Sequence, residues 1–220
     1  MQVVADEWPP FSGESLPGRG ISVDVISTVL RRAGYTVEAD IVPWARIMAG
    51  ARSGEYDIVG SLFFDPEIDG YMAYSAPFYQ TSVKFVRRSA AEHRVEGMED
   101  LAAYSIAVGD GFLYEKRFDR ASDLDKVVVG TTLQGIQMVA AGRVDLTLDS
   151  EEVIAHAIRV QDRSLQNRVE VLPFVLATHG VHMAVSRSRP DHPQIVADFN
   201  RVLGEMQADG SLNALLAKHR

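Results

Sequence analysis

The chain has 220 residues and a formal net charge of −8, which argues against a nucleic-acid-binding surface because such a surface needs clustered lysine and arginine. It has no cysteine, which excludes disulfides, thiolate zinc sites and cysteine nucleophiles. No apolar run approaches the roughly 20 residues that a membrane-spanning helix needs. These properties are typical of a globular protein with one large domain or two small ones.

The first half of the chain alternates short strands with amphipathic helices. A strand at residues 2–5 leads into the sequence EWPPF at residues 7–11, where two prolines favour an extended turn. Apolar residues at helical spacing from Ile21 to Ala33 predict a helix that Gly34 ends, and alternation over residues 35–41 predicts the next strand. A segment rich in turn formers and aromatic residues then separates this half from a strand at residues 82–87.

A helix followed by a buried strand occurs once in each half. In the first copy, apolar residues from Trp44 to Ala51 form one helix face, Gly54 ends the helix, and Asp57 precedes an apolar strand. The second copy spans residues 133–148 and has the same Gly-x-x-Asp connection at Gly142 and Asp145 (sequence GRVD). This repetition favours two α/β lobes of similar construction.

The second half continues the alternation. Its predicted elements are a helix at residues 98–102, strands at 105–108 and 127–129, a helix carrying Leu113 and Phe118, the repeated unit, a helix at 152–160, strands at 169–172 and 182–186, and two helices divided by Gly210. Alternating strands and helices predict an α/β fold with a mostly parallel sheet covered on both faces. In such sheets, ligands bind beyond the carboxyl ends of the strands.

Several short segments occur in a characteristic order along nearly the whole chain. They are Pro9-Pro10-Phe11, Gly20-Ile21-Ser22-Val23-Asp24, Ser53-Gly54-Glu55-Tyr56-Asp57, Asp65-Pro66-Glu67, Tyr74-Ser75-Ala76-Pro77-Phe78-Tyr79, Ser105–Val108 with its glycine turn, and Gly142-Arg143-Val144-Asp145. With them the chain resembles the periplasmic solute-binding proteins of ABC importers, family 3, the polar amino-acid-binding group.

The resemblance implies a two-lobed periplasmic-binding-protein (Venus flytrap) fold. Two mostly parallel α/β lobes would be joined by two hinge strands, with the ligand in a cleft between the lobes. Carried over to this chain, lobe 1 comprises residues 1–86 plus 184–220 and lobe 2 residues 87–183. The hinges are expected at residues 84–88 and 181–185.

The resemblance also implies ligand contacts in lobe 1. Trp8 and Trp44 fall where the family places aromatic rings against the ligand, and such rings attract a cation to their faces. The alternative for Trp44 is a place in the core, because it leads the apolar face of its helix. Ser61 and Phe63 fall on the loop that usually holds the main-chain atoms of the ligand.

The chain departs from the family at Ile68. The family usually has an arginine here, which binds the α-carboxylate of an amino acid through two parallel hydrogen bonds. An ordinary α-amino acid is therefore less expected as ligand. Arg46 is the nearest substitute, and its alternative interpretation is a surface arginine.

In lobe 2 the expected contacts are Asp110, Gly111 and Phe112 in a tight turn, and Asp149 with Ser150. Backbone N–H groups at that turn would favour an anion, but Asp110 opposes one. Asp149 falls beside the position where the family places an acid for the ligand's amino group, and its alternative role is an N-cap. Together with the aromatic residues, the acids suit a ligand with a cationic nitrogen.

No catalytic, metal or cofactor site is expected. His179 and His182 are three apart in a strand region, so they point to opposite faces, and neither a Ser-His-Asp order nor an HExxH motif occurs. The leading interpretation is a monomeric binding protein, not an enzyme, that captures a small polar solute (an amino acid or related amine-containing compound) and presents it transiently to a membrane ABC permease. The alternatives are a ligand-sensing domain of a membrane receptor and a dehydratase-like enzyme on the same scaffold.

The compartment is expected from the resemblance alone. Met1 directly precedes the first predicted strand, so no signal peptide is expected within this sequence. A cytosolic protein and a periplasmic protein whose leader has been removed are both compatible with this start, and the resemblance favours the periplasm.

Overall fold

A computed structural model describes residues 1–219, which form two compact units. Unit 1 consists of Met1–Gln80 and Gly180–Arg220, and unit 2 of Thr81–His179. Among the described residues, no helix is long and apolar enough to cross a membrane.

Unit 1 is an α/β unit with three parallel strands. Its elements are β1 (Gln2–Ala5), α1 (Ile21–Arg32), β2 (Glu38–Ile41), α2 (Trp44–Ser53), β3 (Ile58–Leu62), α3 (Pro66–Asp69), β4 (Met72–Tyr74) and the first residues of β5 (Tyr79–Arg88). β1 lies between β2 and β3 and is parallel to both, with Val3 beside Ala39 and Ile58. The core between this sheet and its helices includes Val4, Ile47 and Met72, all fully buried.

Unit 2 repeats the arrangement. After β5 come β6 (Ser105–Gly109), α4 (Lys116–Arg120), β7 (Asp125–Val129), α5 (Thr132–Ala140), β8 (Leu146–Ser150), α6 (Glu151–His156), which continues as one π-helical segment (Ala157–Gln161), and β9 (Val169–Ser186). β6 lies parallel between β7 and β8, and β5 pairs antiparallel with β8. Apolar residues cover both faces, with Phe85 on one side and Ile136 on the other.

β9 returns the chain to unit 1. There it pairs antiparallel with β3 and β4, and α7 (His192–Ala208) and α8 (Ser211–Leu216) follow. Shorter 3-10 segments occupy Pro17–Arg19, Met98–Ala103, Arg163–Leu165 and Ala217–His219.

The unit boundaries differ by a few residues from the lobes predicted from the sequence. The division falls at 80/81 and 179/180, rather than at 86/87 and 183/184. Both boundaries lie within long strands, β5 and β9, each of which belongs partly to one unit and partly to the other. A continuous strand has no turn residues to mark where a unit ends, so its sequence pattern gives no precise boundary.

Several predicted elements have other bounds. The two strands predicted at 169–172 and 182–186 are parts of the single strand β9. β2 begins at Glu38 rather than 35, because Gly34 (φ 92°) and the Tyr35 N–H bond to Leu30 carry the chain around a turn. The helix predicted to carry Leu113 begins only at Lys116, and Leu113 is exposed.

The repeated Gly-x-x-Asp unit has the same structure in both copies. Gly54 and Gly142 have left-handed φ angles of 76° and 68°, which glycine adopts without strain. Asp57 accepts hydrogen bonds from the Gln2 backbone N–H (2.9 Å) and from Arg189 (2.6 Å).

Asp145 occupies the equivalent corner of unit 2. It accepts bonds from the backbone N–H (2.9 Å) and hydroxyl (2.8 Å) of Ser105. Each carboxylate therefore ties its helix–strand corner to the first residue of the central parallel strand.

These hydrogen bonds shift both acids in the same direction. Burial by itself would raise the pKa of Asp57, but the bonds from Gln2 and Arg189 outweigh it and the pKa is lowered. The Ser105 backbone bond is the main cause that lowers the pKa of Asp145. Since both pKa values are lowered on folding, the stabilisation is present above the unfolded value of about 3.9 and is lost as the pH falls through the folded value.

Replacing Asp57 or Asp145 by asparagine is expected to lower the free energy of unfolding by about 1 kcal/mol at pH 7, a modest value because both carboxylates are partly exposed and screened. The difference from the parent chain should be smaller at pH 3 than at pH 7, because below about pH 3.9 the carboxylates of the unfolded parent chain take up protons and the stabilisation starts to be lost. Urea unfolding followed by circular dichroism at both pH values measures this. Asp123→Asn, a change at an exposed acid, is the control. An equal loss at pH 3 and pH 7 would contradict the assigned role of the charge.

Candidate functional site

Trp8 lies in a tight turn at the carboxyl end of β1. The backbone N–H of Trp8 donates to the Ser12 carbonyl (2.9 Å), and the backbone N–H of Phe11 donates to the Trp8 carbonyl (2.9 Å). The indole stacks on Phe11 with ring centroids 4.5 Å apart, and Phe63 approaches edge-on at 5.4 Å. With Tyr79, whose ring lies 5.4 Å from that of Phe11, these residues form an aromatic cluster (Trp8, Phe11, Phe63 and Tyr79), and Trp8 is only 9% exposed.

Glycine at position 20 permits this turn to pack on α1. The Ile21 and Ser22 N–H groups donate to the Pro10 and Phe11 carbonyls. A Cβ atom on Gly20 would lie 2.6 Å from the Phe11 carbonyl oxygen, and the φ of Gly20 is 97°. Only glycine fits there. It allows the first turn of α1 to come close enough to hydrogen-bond to the backbone that carries the aromatic cluster.

Ser61 has a strained backbone. Its φ is 61°, in a region that non-glycine residues rarely adopt, and the register between β3 and β9 shifts between Val59 and Leu62. The side chain is buried, and its hydroxyl donates to the Ser12 hydroxyl at 3.3 Å. Strained conformations of this kind concentrate at functional sites, and the ligand contact expected for Ser61 stays a prediction.

Trp44 and Arg46 lie on the first turn of α2. Trp44 is half-buried and packs against the unit 1 core, as its core alternative expected. Arg46 is exposed, as its surface alternative expected.

Ile68 belongs to the interior of unit 1. It is 7% exposed and packs in the same core as Leu62 and Met72. It lies on the one-turn helix α3, which Asp65 caps by accepting the Glu67 N–H at 2.7 Å. The position therefore supplies apolar packing and no polar group for a ligand.

In unit 2, the turn after β6 uses most of its own N–H groups. The N–H of Asp110 donates to the Val129 carbonyl, that of Phe112 to the Gly109 carbonyl, and that of Gly109 to the Tyr114 hydroxyl at 2.8 Å. Because α4 begins only at Lys116, no helix start lies at this turn. The anion site considered from the sequence is therefore not formed there.

Asp110 is exposed, whereas Phe112 folds back over the turn. A Cβ atom on Gly109 would lie 2.6 Å from the Phe112 ring, so glycine permits this packing. Gly111 has a φ of 70° and provides the reversal. The ring of Phe112 lies 6.3 Å from that of Tyr114. Tyr114 belongs to the core of unit 2, and Phe112 packs against that core.

Asp149 is a buried carboxylate near the end of β8, with 3% exposure. It accepts hydrogen bonds from the Thr132 hydroxyl and from the Ser150 backbone N–H (2.6 Å). The N-cap position of α6 is Ser150, so Asp149 does not cap that helix and its structural alternative is wrong. Beside it, the buried Ser150 hydroxyl has no hydrogen-bond partner among the described residues.

The Tyr114 hydroxyl is close enough to Asp149 to be affected by its charge. Burial raises the pKa of its hydroxyl, and the negative charge of Asp149 raises it further, so the phenol stays protonated. The His179 ring lies 2.6 Å from the Tyr114 backbone carbonyl. In the other unit, the His182 ring lies 2.8 Å from the Ser75 carbonyl, so the two histidines contact separate partners.

The residues just after Asp149 are bound to β5. Lys84 pairs with Glu151 at 2.8 Å, and the Thr81 hydroxyl donates to Glu152. These contacts fix the first turn of α6 and hence the backbone of Ser150. Sequence reasoning did not predict a role for Lys84, Thr132 or Tyr114 at this site. Thr132 and Tyr114 follow the ends of β7 and β6, whereas Lys84 lies in the middle of β5.

Comparison with known proteins agrees with this architecture. The whole chain, residues 1–220, matches the sequence profile of bacterial extracellular solute-binding proteins, family 3. A relative from Bacillus subtilis (strain 168), the L-cystine-binding protein TcyA, is 24% identical over 199 residues, which cover 90% of this chain and 71% of the relative.

Solved structures confirm the predicted two-lobed periplasmic-binding-protein fold. A histidine kinase sensor domain with similarity to periplasmic binding proteins has a TM-score of 0.85 at 21% identity, covering 99% of this chain and 94% of its own. An ancestral arginine-binding protein bound to arginine has a TM-score of 0.82 at 19% identity, covering 99% and 96%.

Proposed function

Because the chain belongs to the bacterial extracellular solute-binding proteins of family 3, we propose that it captures a small amine-containing solute outside the cytoplasm and presents it to an ABC permease. The family match carries the solute-binding part of this proposal. The location of the candidate residues at the carboxyl ends of parallel strands, where open α/β sheets bind ligands, supports it.

The proposed contacts belong to both units. In unit 1 they are Trp8, Trp44, Arg46, Ser61 and Phe63, and in unit 2 Asp110, Gly111, Phe112, Asp149 and Ser150. Trp8, Ser61 and Asp149 are the strongest candidates. Each is buried and is held by neighbours within its own unit that leave it little freedom, so each unit by itself offers a ligand preformed contacts at low entropic cost.

A thermal-shift screen tests the binding function. The purified protein is heated with amino acids, polyamines, quaternary amines, small carboxylates and short sugars. A ligand that binds only the folded state at 100 times its dissociation constant adds about 2.7 kcal/mol, and a clear rise in Tm is the expected result for at least one amine-containing compound. A shift only with sugars or simple carboxylates would contradict the proposed solute class.

A receptor sensing domain is the second candidate, and the histidine kinase sensor domain with a TM-score of 0.85 favours it. A sensing domain would bind the same kind of ligand, but it would regulate a signalling domain instead of delivering the ligand to a permease. The full-length gene separates the two, since a transmembrane helix followed by a signalling domain downstream of this sequence would indicate a sensor. The dehydratase alternative is tested by incubation with prephenate or arogenate, for which we expect no turnover.

A further inference from the structure

His182 lies beside the carboxyl end of β3. In the antiparallel pairing of β9 with β3, it is the register partner of Leu62, the last residue of β3. Leu62 belongs to the same core of unit 1 as Ile68. The pairing therefore places a polar, titratable ring at the edge of unit 1 where open α/β sheets bind ligands.

Two contacts hold the His182 ring. Its Nδ1 lies 2.8 Å from the carbonyl oxygen of Ser75, and the ring of Tyr74 meets it edge-on with the centroids 5.6 Å apart. Tyr74 is held in turn, because its hydroxyl donates to the Phe63 carbonyl (3.1 Å) and accepts the Asp65 backbone N–H (3.3 Å). The orientation of the ring is thus fixed from β4 and from the loop that follows β3.

The bond to Ser75 determines the tautomer of His182. A carbonyl oxygen only accepts hydrogen bonds, so Nδ1 carries the proton, and Nε2 of the neutral ring then has a lone pair. Nε2 has no hydrogen-bond partner among the described residues, and the side chain is half-buried. A Cβ atom on Gly180 would lie 2.8 Å from Nε2, so glycine leaves the space beside this nitrogen open. Nε2 is therefore an acceptor that a ligand can reach.

The ring is neutral at pH 7. Burial is the main influence on the pKa of His182 and lowers it from the ordinary value of 6.5. The bond to the Ser75 carbonyl favours the protonated ring and opposes this shift only in part. The acceptor state of Nε2 is thus the state present at neutral pH.

The titratable groups around the ring do not change this state. β3 and β4 contain no charged residue, and the acids between these strands are Asp65, Glu67 and Asp69. Asp65 caps α3, Glu67 is exposed, and Asp69 pairs with a guanidinium, that of Arg187, at 2.9 Å. Burial raises the pKa of Tyr74, so its phenol stays neutral. The protonation of the imidazole therefore follows its own burial and its bond to the backbone.

We propose that Nε2 of His182 is a ligand contact of unit 1, where it accepts a hydrogen bond from an N–H group of the solute. The inference rests on the proposed binding function and adds a residue and the protonation state in which it binds. Protonation turns Nε2 from an acceptor into a donor and places a positive charge beside the amine of the solute. Binding therefore requires the neutral ring, and the affinity falls as the pH falls through the pKa of His182.

Isothermal titration of the full chain from pH 7.5 to pH 5 tests this contact. The probes are the polyamines and the amino acids of the thermal-shift panel, histidine excepted, because their ammonium groups stay charged over this range. The affinity of each probe that binds should be highest at pH 7.5. Below the pKa of the ring it should fall by about tenfold per pH unit, because only the neutral fraction of the protein binds.

Three variants separate His182 from a general effect of pH. His182→Phe removes the acceptor and should weaken binding about tenfold or more at pH 7.5. His182→Gln keeps an acceptor that does not titrate, so it should bind more tightly than His182→Phe and lose the fall towards pH 5. His156→Gln is the matched control, because His156 ends α6 in unit 2 and burial lowers its pKa as well. It should bind and respond to pH as the parent chain does, and circular dichroism confirms that all three variants fold.

A long-range ¹H–¹⁵N spectrum of the ligand-free protein checks the tautomer independently. At pH 7.5, Nδ1 of His182 should carry the proton and Nε2 should not, and the signals that His182→Gln lacks identify this ring. Addition of a probe that binds should shift the Nε2 resonance. A protonated Nε2 in the ligand-free protein at this pH would overturn the inference.

The possible failures can be told apart. If a probe binds to His182→Phe as tightly as to the parent chain, the assigned contact is wrong and the binding function stands. If His182→Gln shows the same fall towards pH 5 as the parent chain, another group titrates and the inference fails. Binding of quaternary amines alone would likewise overturn the inference, because they have no N–H group on the cationic nitrogen. If no member of the panel binds, the proposed function fails together with the inference.

Discussion

Replacing Ile68 by arginine is expected to lower the free energy of unfolding by about 3–5 kcal/mol, because the substitution places an uncompensated charge in the core. Ile68 is 7% exposed and packs in the same core as Leu62 and Met72. We also expect that the variant gains no affinity for α-amino acids, since the side chain at this position is directed into unit 1. Urea unfolding and isothermal titration with arginine and glutamate measure the two effects.

A volume-conserving change at the same site provides the control. Ile68→Leu keeps the apolar volume and should cost less than about 1.5 kcal/mol. If Ile68→Arg were as stable as Ile68→Leu and bound amino acids, α3 would have to turn its side chain out of the core. The apolar packing of this position would then not exclude a solute that carries a carboxylate.

The alternation of helices and strands was predictable because local rules fix it. Gly54 and Gly142 end their helices through left-handed backbone angles, and Asp57 and Asp145 then bind the first residue of a neighbouring strand. Each helix end depends on residues a few positions apart, and the aspartate contact occurs in the same form in both halves of the chain. A single sequence therefore contains enough information to predict two similar α/β units.

The strand β9 was predicted less well. Its middle contains Pro173, Thr178 and Gly180, which by local propensity favour a break, yet the strand is continuous from Val169 to Ser186. Pairing with β3 and β4 in its second half satisfies the backbone there. Tertiary hydrogen bonding overrides local preference in such a strand, and a single sequence does not reveal its partners.

For the candidate site residues, the position at the strand ends was predictable from the sequence, but the contacts within the protein were not. Strand ends in the sequence pointed to Trp8, Ser61 and Asp149. The bond from Thr132 to Asp149 joins residues that are distant in the sequence, and its geometry depends on how α5 packs beside β8. Spacing along one chain cannot supply that information. Likewise, the strained φ of Ser61 depends on the register shift between β3 and β9.

Truncating Trp8 to alanine is expected to cost about 3–5 kcal/mol of stability, because the indole is 9% exposed, stacks on Phe11 at 4.5 Å and contacts the edge of Phe63. If the proposed contact is correct, the affinity for the best compound of the thermal-shift panel should also fall about tenfold or more. Trp8→Phe keeps an aromatic face and should retain most of both properties. Urea unfolding and isothermal titration measure them.

Phe64→Ala is the matched control, since Phe64 is an aromatic residue of the same unit, also follows a strand, and is 56% exposed. Its truncation should change stability by no more than about 0.5 kcal/mol, as is usual for surface positions. A stable Trp8→Phe variant that has lost binding would show that the ligand needs the indole itself, through its larger face or its N–H donor. A stable Trp8→Phe that binds fully, beside a destabilised Trp8→Ala, would instead make Trp8 a support for Phe11 and Phe63, and the ligand contact would pass to Phe63, a half-buried member of the cluster.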